Sequence, residues 1–324
     1  MNTELPLLDV RNLSKRFNAD AGFFAREGKF VYAVNDVSFS IARGMTYALA
    51  GESGCGKTTT ARLLIQMYRQ DSGSILYFDA ESGNQFEISS LSKKNLRSYR
   101  EKVKYIFQDP ARSLNPRMNV LDILTAPLKY SSLKMTKQEM YAAAEKIICE
   151  TGLGTDALMR RPSEFSGGQR QRISIARGLI MNPDLLICDE IVSALDVSIQ
   201  AQILDLLLSI RSARKLSLLF ITHDLKIASY FCDTIGVMFR GILVEEAPAK
   251  TLYKKQAHPY TKLLFEGASK RLSNSSVEVK SAQEKECGCP FAYRCPHAES
   301  RCRNELPEFR TIAEGHKVRC FADF

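Results

Sequence analysis

Residues 46–58 read TYALAGESGCGKT and join a short apolar run to a glycine-rich loop. The run at 46–50 predicts a buried strand, and residues 58–69 after the loop predict a helix. Glycines let the main chain wrap closely around phosphate oxygens, and a helix N-terminus adds positive potential at the same point. A glycine-rich turn with an incidental lysine is the alternative. The strand–loop–helix context favours a phosphate-binding loop and an α/β fold.

Polar side chains follow three further apolar runs. Asp189 and Glu190 end the run at 184–188, which we interpret as a strand buried in a parallel sheet, where ligands bind at the carboxyl ends of strands. Gln108 follows a predicted strand at 103–107, and His223 ends another at 216–222. Either of these two alone is also explained as a surface polar residue or a satisfied core histidine. Their order after the phosphate loop favours a site for Mg²⁺, a phosphate and an attacking water.

Residues 165–169 read FSGGQ and open a predicted helix that runs to about residue 180. Ser166 is its expected N-cap, and the glycines expose N–H groups to a second anion. An ordinary turn also explains this segment by itself. One ATP does not need two such sites from one chain. We therefore expect head-to-tail pairing, in which each such helix covers the ATP held by the other subunit's phosphate loop.

In this order the motifs resemble the ATP-binding subunit of an ATP-binding cassette transporter, over about residues 7–246. The resemblance implies an α/β P-loop NTPase cassette with a mixed sheet core and a helical subdomain, which hydrolyses ATP to ADP and phosphate with Mg²⁺. Residues 193–196, SALD, match the family's D-loop, which communicates across the dimer. The family usually has proline after the catalytic glutamate, where this chain has Ile191. That changes loop stiffness but removes no catalytic atom, so activity is expected.

The resemblance also implies the residue roles. Glu190 would orient the attacking water, His223 would reach the γ-phosphate, and Gln108 would contact both the water and the metal. Thr58, Gln108 and Asp189 would hold Mg²⁺. Phe17 would stack on adenine, although a core phenylalanine explains it as well. The remaining implied nucleotide contacts are Gly51, Glu52, Ser53, Gly54, Cys55, Gly56, Lys57, Thr59, Ser166, Gly167, Gly168, Gln169 and Asp196.

Other segments resemble the oligopeptide, dipeptide and nickel permease class: FQDP at 107–110, SLNPR at 113–117, extra length at 18–31 and AHPYTKLL at 257–264. The resemblance implies that ATP-driven dimer closure powers import of a solute, foremost a di- or oligopeptide. The implied partners are a second ATPase subunit, identical or different, two transmembrane permease subunits and, indirectly, an extracytoplasmic solute-binding protein. Nickel, other chelated metals and oligosaccharides stay open as cargo.

Composition limits the other function classes. No secretory segment and no apolar run of eighteen residues occurs, which predicts a peripheral protein on the cytoplasmic face of the membrane. The net charge of +9 suits an anionic membrane surface or a simply solvated surface. No basic tract alternates with aromatics, so no nucleic-acid partner is expected.

A soluble ATPase of translation or DNA repair would need a second cassette or a long insertion. A module that binds ATP without hydrolysis is disfavoured by Glu190 and His223.

Nine cysteines without an export signal argue against a disulfide scaffold. We interpret Cys55, Cys149, Cys188 and Cys232 as core or incidental positions. The tail carries Cys287, Cys289, Cys295, Cys302 and Cys320, and the C-x5-C-x6-C-x17-C spacing from Cys289 suits an iron–sulfur cluster or Zn²⁺. The family resemblance implies a [4Fe–4S] cluster on the last four, with Cys287 as the spare. Zinc and free thiols are the alternatives.

The chain is expected to divide into a cassette at 7–256, with its helical subdomain at about 111–162, and a cysteine-rich extension at 257–324. Apolar residues at helical spacing predict a helix over 136–151 within the subdomain. A polar linker is expected at about 268–286. No expected nucleotide contact lies beyond His223, so we expect ATP binding to be independent of the tail.

Overall fold

The computed structural model describes residues 5–18, 30–80, 82–267 and 288–322, which its backbone contacts group into two units. The first unit contains the described residues of 1–42, 46–90 and 221–324. The second contains 43–45 and 91–220. The predicted helical subdomain lies in the second unit, and the tail lies in the first together with the phosphate loop. Residues 19–29 of the predicted insertion, the predicted linker and Cys287 lie outside the described residues.

The strands of the described residues are, in chain order, β1 (Leu8–Asn18), β2 (Phe30–Ile41), β3 (Thr46–Ala50), β4 (Ser72–Phe78), β5 (Gln85–Glu87), β6 (Val103–Ile106), β7 (Leu185–Asp189), β8 (Ser217–Thr222), β9 (Thr234–Phe239), β10 (Ile242–Pro248), β11 (Arg310–Ala313) and β12 (His316–Val318). The helices are α1 (Lys57–Leu64), α2 (Lys93–Lys102), α3 (Pro110–Ser113), α4 (Val120–Lys129), α5 (Lys137–Glu150), α6 (Gly167–Leu179), α7 (Val197–Arg214), α8 (Leu225–Phe231), α9 (Ala249–Lys254), α10 (Pro259–Phe265) and α11 (Ser300–Asn304).

Two sets of strands build the first unit. An antiparallel sheet has the order β2-β1-β4-β5. A second set has the order β11-β12-β10-β9-β3, in which β3 pairs in parallel with β9 and the other neighbours are antiparallel. Every residue of β3 is buried, as the apolar run predicts. The C-terminal residues therefore add β12 and β11 to the same set of strands that positions the phosphate loop.

The second unit places helices beside parallel strands. β6 pairs in parallel with β7, and β7 is buried along its whole length, which suits a sheet covered on both faces. The predicted helix at 136–151 is confirmed as α5. A capping box joins Thr136 and Glu139 at its start, and Met140 packs with Leu128 and Met181.

The helix after the phosphate loop is shorter than predicted. It was expected to reach residue 69, whereas α1 ends at Leu64. Ile65 is its C-cap, and Gln66 has a φ of +54°. A non-glycine residue in this left-handed region stops helical hydrogen bonding, and no glycine or proline marks the position in the sequence.

Candidate active site

The phosphate loop is held tightly against the main chain of its own unit. Gly51 has a φ of +151°, and a Cβ placed there would lie 2.2 Å from the Met238 carbonyl oxygen. Gly56 has a φ of +112°, and a Cβ there would lie 2.2 Å from the Ala33 carbonyl oxygen. Neither site accepts a side chain. Ser53 and Gly54 are exposed at the tip of the loop.

Lys57 folds over this loop from the first residue of α1. Its side chain is only 4 % exposed, and Nζ donates to the carbonyl oxygens of Gly51 at 2.7 Å and Glu52 at 3.0 Å. No side chain caps the N-terminus of α1, where Gly56 is the N-cap. The ammonium group and the first-turn N–H groups thus form a compact positive site that fits phosphate oxygens. Thr58 and Thr59 are half-buried in this first turn.

Phe17 is not a core residue. It lies near the end of β1 with 37 % of its surface exposed, and Tyr68 contacts it edge-on with ring centroids 5.3 Å apart. Lys15 Nζ lies 5.6 Å from the Phe17 ring centroid. An exposed ring supported at its edge offers a face for another aromatic group. This favours the stacking interpretation over the core one.

His223 lies in the first unit, between the end of β8 and the start of α8, and its side chain is exposed. The flanking residues are fixed by hydrogen bonds. The Asp224 N–H donates to the Thr222 hydroxyl at 2.9 Å, and the Asp224 carboxylate caps α8 by accepting from the N–H of Lys226 at 2.8 Å. The imidazole is therefore presented from a rigid strand-to-helix turn.

The two carboxylates at the end of β7 have different surroundings. Asp189 is 3 % exposed and accepts a 2.5 Å hydrogen bond at Oδ2 from the Tyr105 hydroxyl. Glu190 accepts a 2.9 Å hydrogen bond at Oε2 from Gln108 Nε2. The structure therefore brings together two side chains that the sequence placed 82 residues apart. Tyr105 was missed, since a tyrosine in a strand carries no motif signal.

Glu190 has an unusual backbone. Its φ of +48° places a non-glycine residue in the left-handed region, which costs on the order of 1 kcal/mol. Ser193 Oγ donates to the Glu190 carbonyl oxygen at 2.8 Å, and the next residue, Ile191, is 2 % exposed. Ile191 thus anchors the turn by burial, at the position where the family resemblance implies proline.

The FSGGQ segment has the predicted cap. Ser166 Oγ accepts from the Gln169 N–H at 3.3 Å, and Gln169 Oε1 accepts from the Ser166 N–H at 3.0 Å, which completes a capping box for α6. Gln169 therefore uses its side chain on its own helix. Ser166 is exposed, so the start of α6 is open to a ligand.

The D-loop packs against this helix start within the second unit. A Cβ on Gly168 would lie 2.7 Å from Ile199 Cγ2, whereas one on Gly167 would meet Leu195 Cδ2 at an ordinary 3.8 Å. Gln200 Nε2 donates to the carbonyl oxygens of Val192 and Leu195, each at 2.9 Å. Asp196, the N-cap residue of α7, is exposed and its side chain makes no capping hydrogen bond.

Four tail thiols, Cys289, Cys295, Cys302 and Cys320, line one small pocket together with the rings of His258 and Phe291. Burial raises the pKa of Cys289 to about 11 and also raises the pKa of Cys295 and of Cys320. Within the described residues, 5–18, 30–80, 82–267 and 288–322, no three or more His, Cys, Asp or Glu side chains are placed so that they could hold a metal ion. Of the four cassette cysteines, Cys149 is exposed and the other three are buried.

The tail also touches the phosphate loop, which the sequence did not predict. The Tyr260 hydroxyl accepts from the Glu52 N–H at 2.9 Å, and the Arg294 guanidinium pairs with the Glu52 carboxylate at 3.1 and 3.3 Å. In the sequence, the His-Pro-Tyr run at 258–260 indicated membership of a family but did not predict this contact with the phosphate loop.

The phosphate loop, the Asp189–Glu190 strand end and the capped glycine pair on α6 define the class, a P-loop ATPase of the cassette type. Residues 34–193 match the ABC transporter family, and residues 244–302 match the oligopeptide/dipeptide transporter C-terminal region. The chain is 39 % identical over 97 % of its length to the oligopeptide transport ATP-binding protein AppF of Bacillus subtilis (strain 168), covering 96 % of that protein. It belongs to the family of oligopeptide and dipeptide transport ATP-binding proteins of ABC transporters, and it is an ATPase.

A further relative and two solved structures are also ATP-binding cassette proteins. The probable peptide ABC transporter ATP-binding protein y4tS of Sinorhizobium fredii (strain NBRC 101917 / NGR234) is 40 % identical over 97 % of this chain and 89 % of its own length. The structure of cbiO1 from Clostridium perfringens, part of the ABC transporter complex cbiONQ, matches 78 % of this chain and 92 % of its own with a TM-score of 0.65 at 25 % identity. The dimeric cassette MJ0796 bound to ADP and Pi shares the fold, with a TM-score of 0.64 over 75 % of this chain and 99 % of its own at 23 % identity. These matches leave the translation or DNA-repair ATPase without support.

Proposed function

We propose that this ATPase powers the import of di- or oligopeptides from the cytoplasmic face of the membrane, through two transmembrane permease subunits. The match of residues 244–302 to the oligopeptide/dipeptide transporter C-terminal region carries this proposal. The names of the relatives support it. Among the described residues no helix is both long and apolar enough to cross a bilayer, so the membrane path would come from those partners.

In this account each residue of the phosphate loop and its surroundings has one task. Lys57 binds the β- and γ-phosphates, and the N–H groups at the start of α1 assist it. Thr58 ligates Mg²⁺ through its hydroxyl. Phe17 stacks on adenine, which its exposed, edge-supported ring supports. His223 contacts the γ-phosphate from its rigid turn.

The residues of the second unit perform the hydrolysis. Asp189 holds Mg²⁺ through water, and Tyr105 orients its carboxylate. Glu190 orients and polarises the attacking water. Gln108 contacts this water and the metal, and its hydrogen bond to Glu190 sets the carboxylate's direction. A carboxylate that is fixed before the substrate arrives loses less conformational entropy at the transition state.

Completion of each site requires a second copy of the cassette fold, from an identical or a related subunit. The open N-terminus of α6, with Ser166, Gly167 and Gly168, binds the ATP held by the partner's phosphate loop. Gln169 supports this by capping the helix. Asp196 is exposed at the D-loop and contacts the partner. Closure on two ATP molecules then drives the membrane subunits between inward- and outward-facing states, and hydrolysis resets them.

The tail cysteines Cys289, Cys295, Cys302 and Cys320 are proposed to hold a [4Fe–4S] cluster with a structural or redox-sensing role. All four thiols line one pocket although they are spread over residues 289–320, and this shared location supports a common ligand. Metal binding would deprotonate thiols whose pKa burial raises and would supply folding free energy. Iron and sulfide analysis of anaerobically purified protein tests this. Equal amounts of each support the cluster, and stoichiometric zinc without sulfide contradicts it.

Transport is tested in proteoliposomes that contain this subunit, its ATPase partner and the two permease subunits, with the binding protein outside. ATP trapped inside should drive uptake of a radiolabelled tripeptide, and the Lys57→Ala variant should abolish it. Uptake of nickel or an oligosaccharide, with none of the peptide, would overturn the peptide cargo while leaving the ATPase assignment intact.

A further inference from the structure

We propose that Tyr260 and Arg294 are positioning residues for nucleotide binding, because they hold Glu52 in the phosphate loop. The C-terminal extension would then be a working part of the nucleotide site and would set the loop's affinity for ATP. This inference rests on the proposed binding of phosphates at Lys57.

All three polar groups of Glu52 are engaged. Its N–H donates to the Tyr260 hydroxyl at 2.9 Å, its carbonyl oxygen accepts from Lys57 Nζ at 3.0 Å, and its carboxylate pairs with both Nη atoms of Arg294 at 3.1 and 3.3 Å. Glu52 thus joins the phosphate-binding lysine to two side chains of the extension. Movement of Tyr260 or Arg294 would therefore move Glu52, whose carbonyl oxygen accepts the hydrogen bond from Lys57.

The Tyr260 hydroxyl is rigidly placed. Tyr260 is fully buried, and its ring lies against Phe239 and Phe291 with centroids 4.5 and 5.5 Å apart. Its backbone N–H donates to Nδ1 of His258, the N-cap of α10, at 3.1 Å. The buried Glu245 carboxylate in turn accepts from the His258 N–H at 2.9 Å. This explains the His-Pro-Tyr run as a support for one hydroxyl at the loop.

Arg294 is held by aromatic rings and by the turns that carry the cysteines. Its guanidinium lies 5.9 Å from the Phe239 ring centroid and 5.7 Å from that of Phe291. The backbone N–H of Arg294 donates to the Phe291 carbonyl oxygen, and Arg294 directly precedes Cys295 in the sequence. A guanidinium fixed on two rings keeps its fork aimed at the carboxylate.

The charge of Arg294 has a specific consequence for ATP. Glu52 places a carboxylate within the loop that receives a polyanion, and like charges so close repel. Arg294 neutralises that carboxylate. The pair is partly exposed, at 26 and 30 % for the two side chains, so the effect on affinity is modest.

The test measures ATP affinity with Mg²⁺ for the full-length protein and five variants by equilibrium binding. Arg294→Gln should weaken ATP binding about three- to fivefold. Adding Glu52→Gln to it should recover the part of the affinity that the uncompensated charge removes, so the double variant should bind ATP more tightly than Arg294→Gln. Tyr260→Phe keeps the buried ring and should weaken binding to a similar extent. Arg301→Gln removes another tail arginine, whose side chain pairs with Glu299 and lies over the Phe321 ring, both within the tail, and ATP affinity should not change.

The double variant separates charge compensation at Glu52 from general structural damage. If the extension only supported folding, Arg294→Gln/Glu52→Gln would bind ATP no better than Arg294→Gln. That result, or wild-type affinity in Arg294→Gln and Tyr260→Phe, would overturn the inference. Lys57→Ala in the same assay tests the underlying function. If it binds ATP normally, the phosphate-loop assignment itself fails. If it fails to bind while Arg294→Gln binds normally, only the positioning role is lost.

Discussion

Gln108 donates a hydrogen bond from Nε2 to Oε2 of Glu190 over 2.9 Å. The two residues come from the ends of neighbouring parallel strands, β6 and β7, so the pairing is a consequence of strand order. The glutamate also has a φ of +48° and is tied by its carbonyl oxygen to Ser193. A strained residue with a directed carboxylate is typical of a catalytic position.

The first prediction concerns Gly168. Gly168→Ala should lower the melting temperature and slow ATP hydrolysis, because the new Cβ would lie 2.7 Å from Ile199 Cγ2. Overpacking of this kind costs about 1–3 kcal/mol. Gly167→Ala is the matched control. Its Cβ would meet Leu195 at 3.8 Å, so its melting temperature should be unchanged or higher. Adding Ile199→Ala, which removes the Cγ2 methyl, to Gly168→Ala should recover part of the loss. Equal stability of the two glycine-to-alanine variants would contradict the packing argument.

The second prediction concerns assembly. Ser166→Arg should leave ATP binding to a single subunit intact but block closure and hydrolysis, because Ser166 opens the helix that serves the other subunit's nucleotide. In a homodimer, mixing this variant with Lys57→Ala creates one site with both lesions and one with neither. The mixture should hydrolyse ATP although each variant alone does not. A mixture without activity would count against shared sites.

The third prediction concerns pH. Burial lowers the pKa of His258 from 6.5 to about 4, and the nearby Glu245 carboxylate only partly opposes this. Between pH 4 and pH 6.5, His258 is therefore protonated in the unfolded chain and neutral in the folded chain. The free energy of unfolding should fall as the pH drops from 6.5 to 4, by up to about 3 kcal/mol from this residue.

Urea unfolding of wild type and His258→Asn across that pH range measures this contribution. Asparagine can also cap α10 but does not titrate. The variant should lose less stability than the wild type on acidification. An identical pH dependence in the two proteins would show that His258 does not titrate as its burial requires.

Motif spacing predicted the local structure around the proposed nucleotide site, because its groups follow locally recognisable strand ends and helix starts. Ser166 as an N-cap, the buried strand before Gly51 and the helix at 136–151 are confirmed. The end of α1 was predicted wrongly, since Gln66 adopts a left-handed φ without a glycine to announce it.

Contacts that depend on tertiary packing could not be predicted from local patterns. Tyr105 reaches Asp189 across neighbouring strands, and Tyr260 reaches Glu52 from 208 residues away in the chain. The expectation that the tail stands apart from ATP binding rested on motif positions alone. The Arg294–Glu52 pair gives a physical reason to expect that the tail affects ATP binding. Measuring metal content and ATP affinity in the Cys302→Ser variant also tests whether the tail and the nucleotide site are connected.

The central claim is that Glu190 orients the attacking water of an ATPase. Steady-state phosphate release by the assembled protein, with a parallel measurement of ATP binding, tests it most directly. Glu190→Gln should bind ATP normally and hydrolyse it at least ~100-fold more slowly, the usual contribution of a positioned general base. Asp205→Asn, an exposed carboxylate on α7, should retain wild-type turnover. Near-normal hydrolysis by Glu190→Gln would contradict the account.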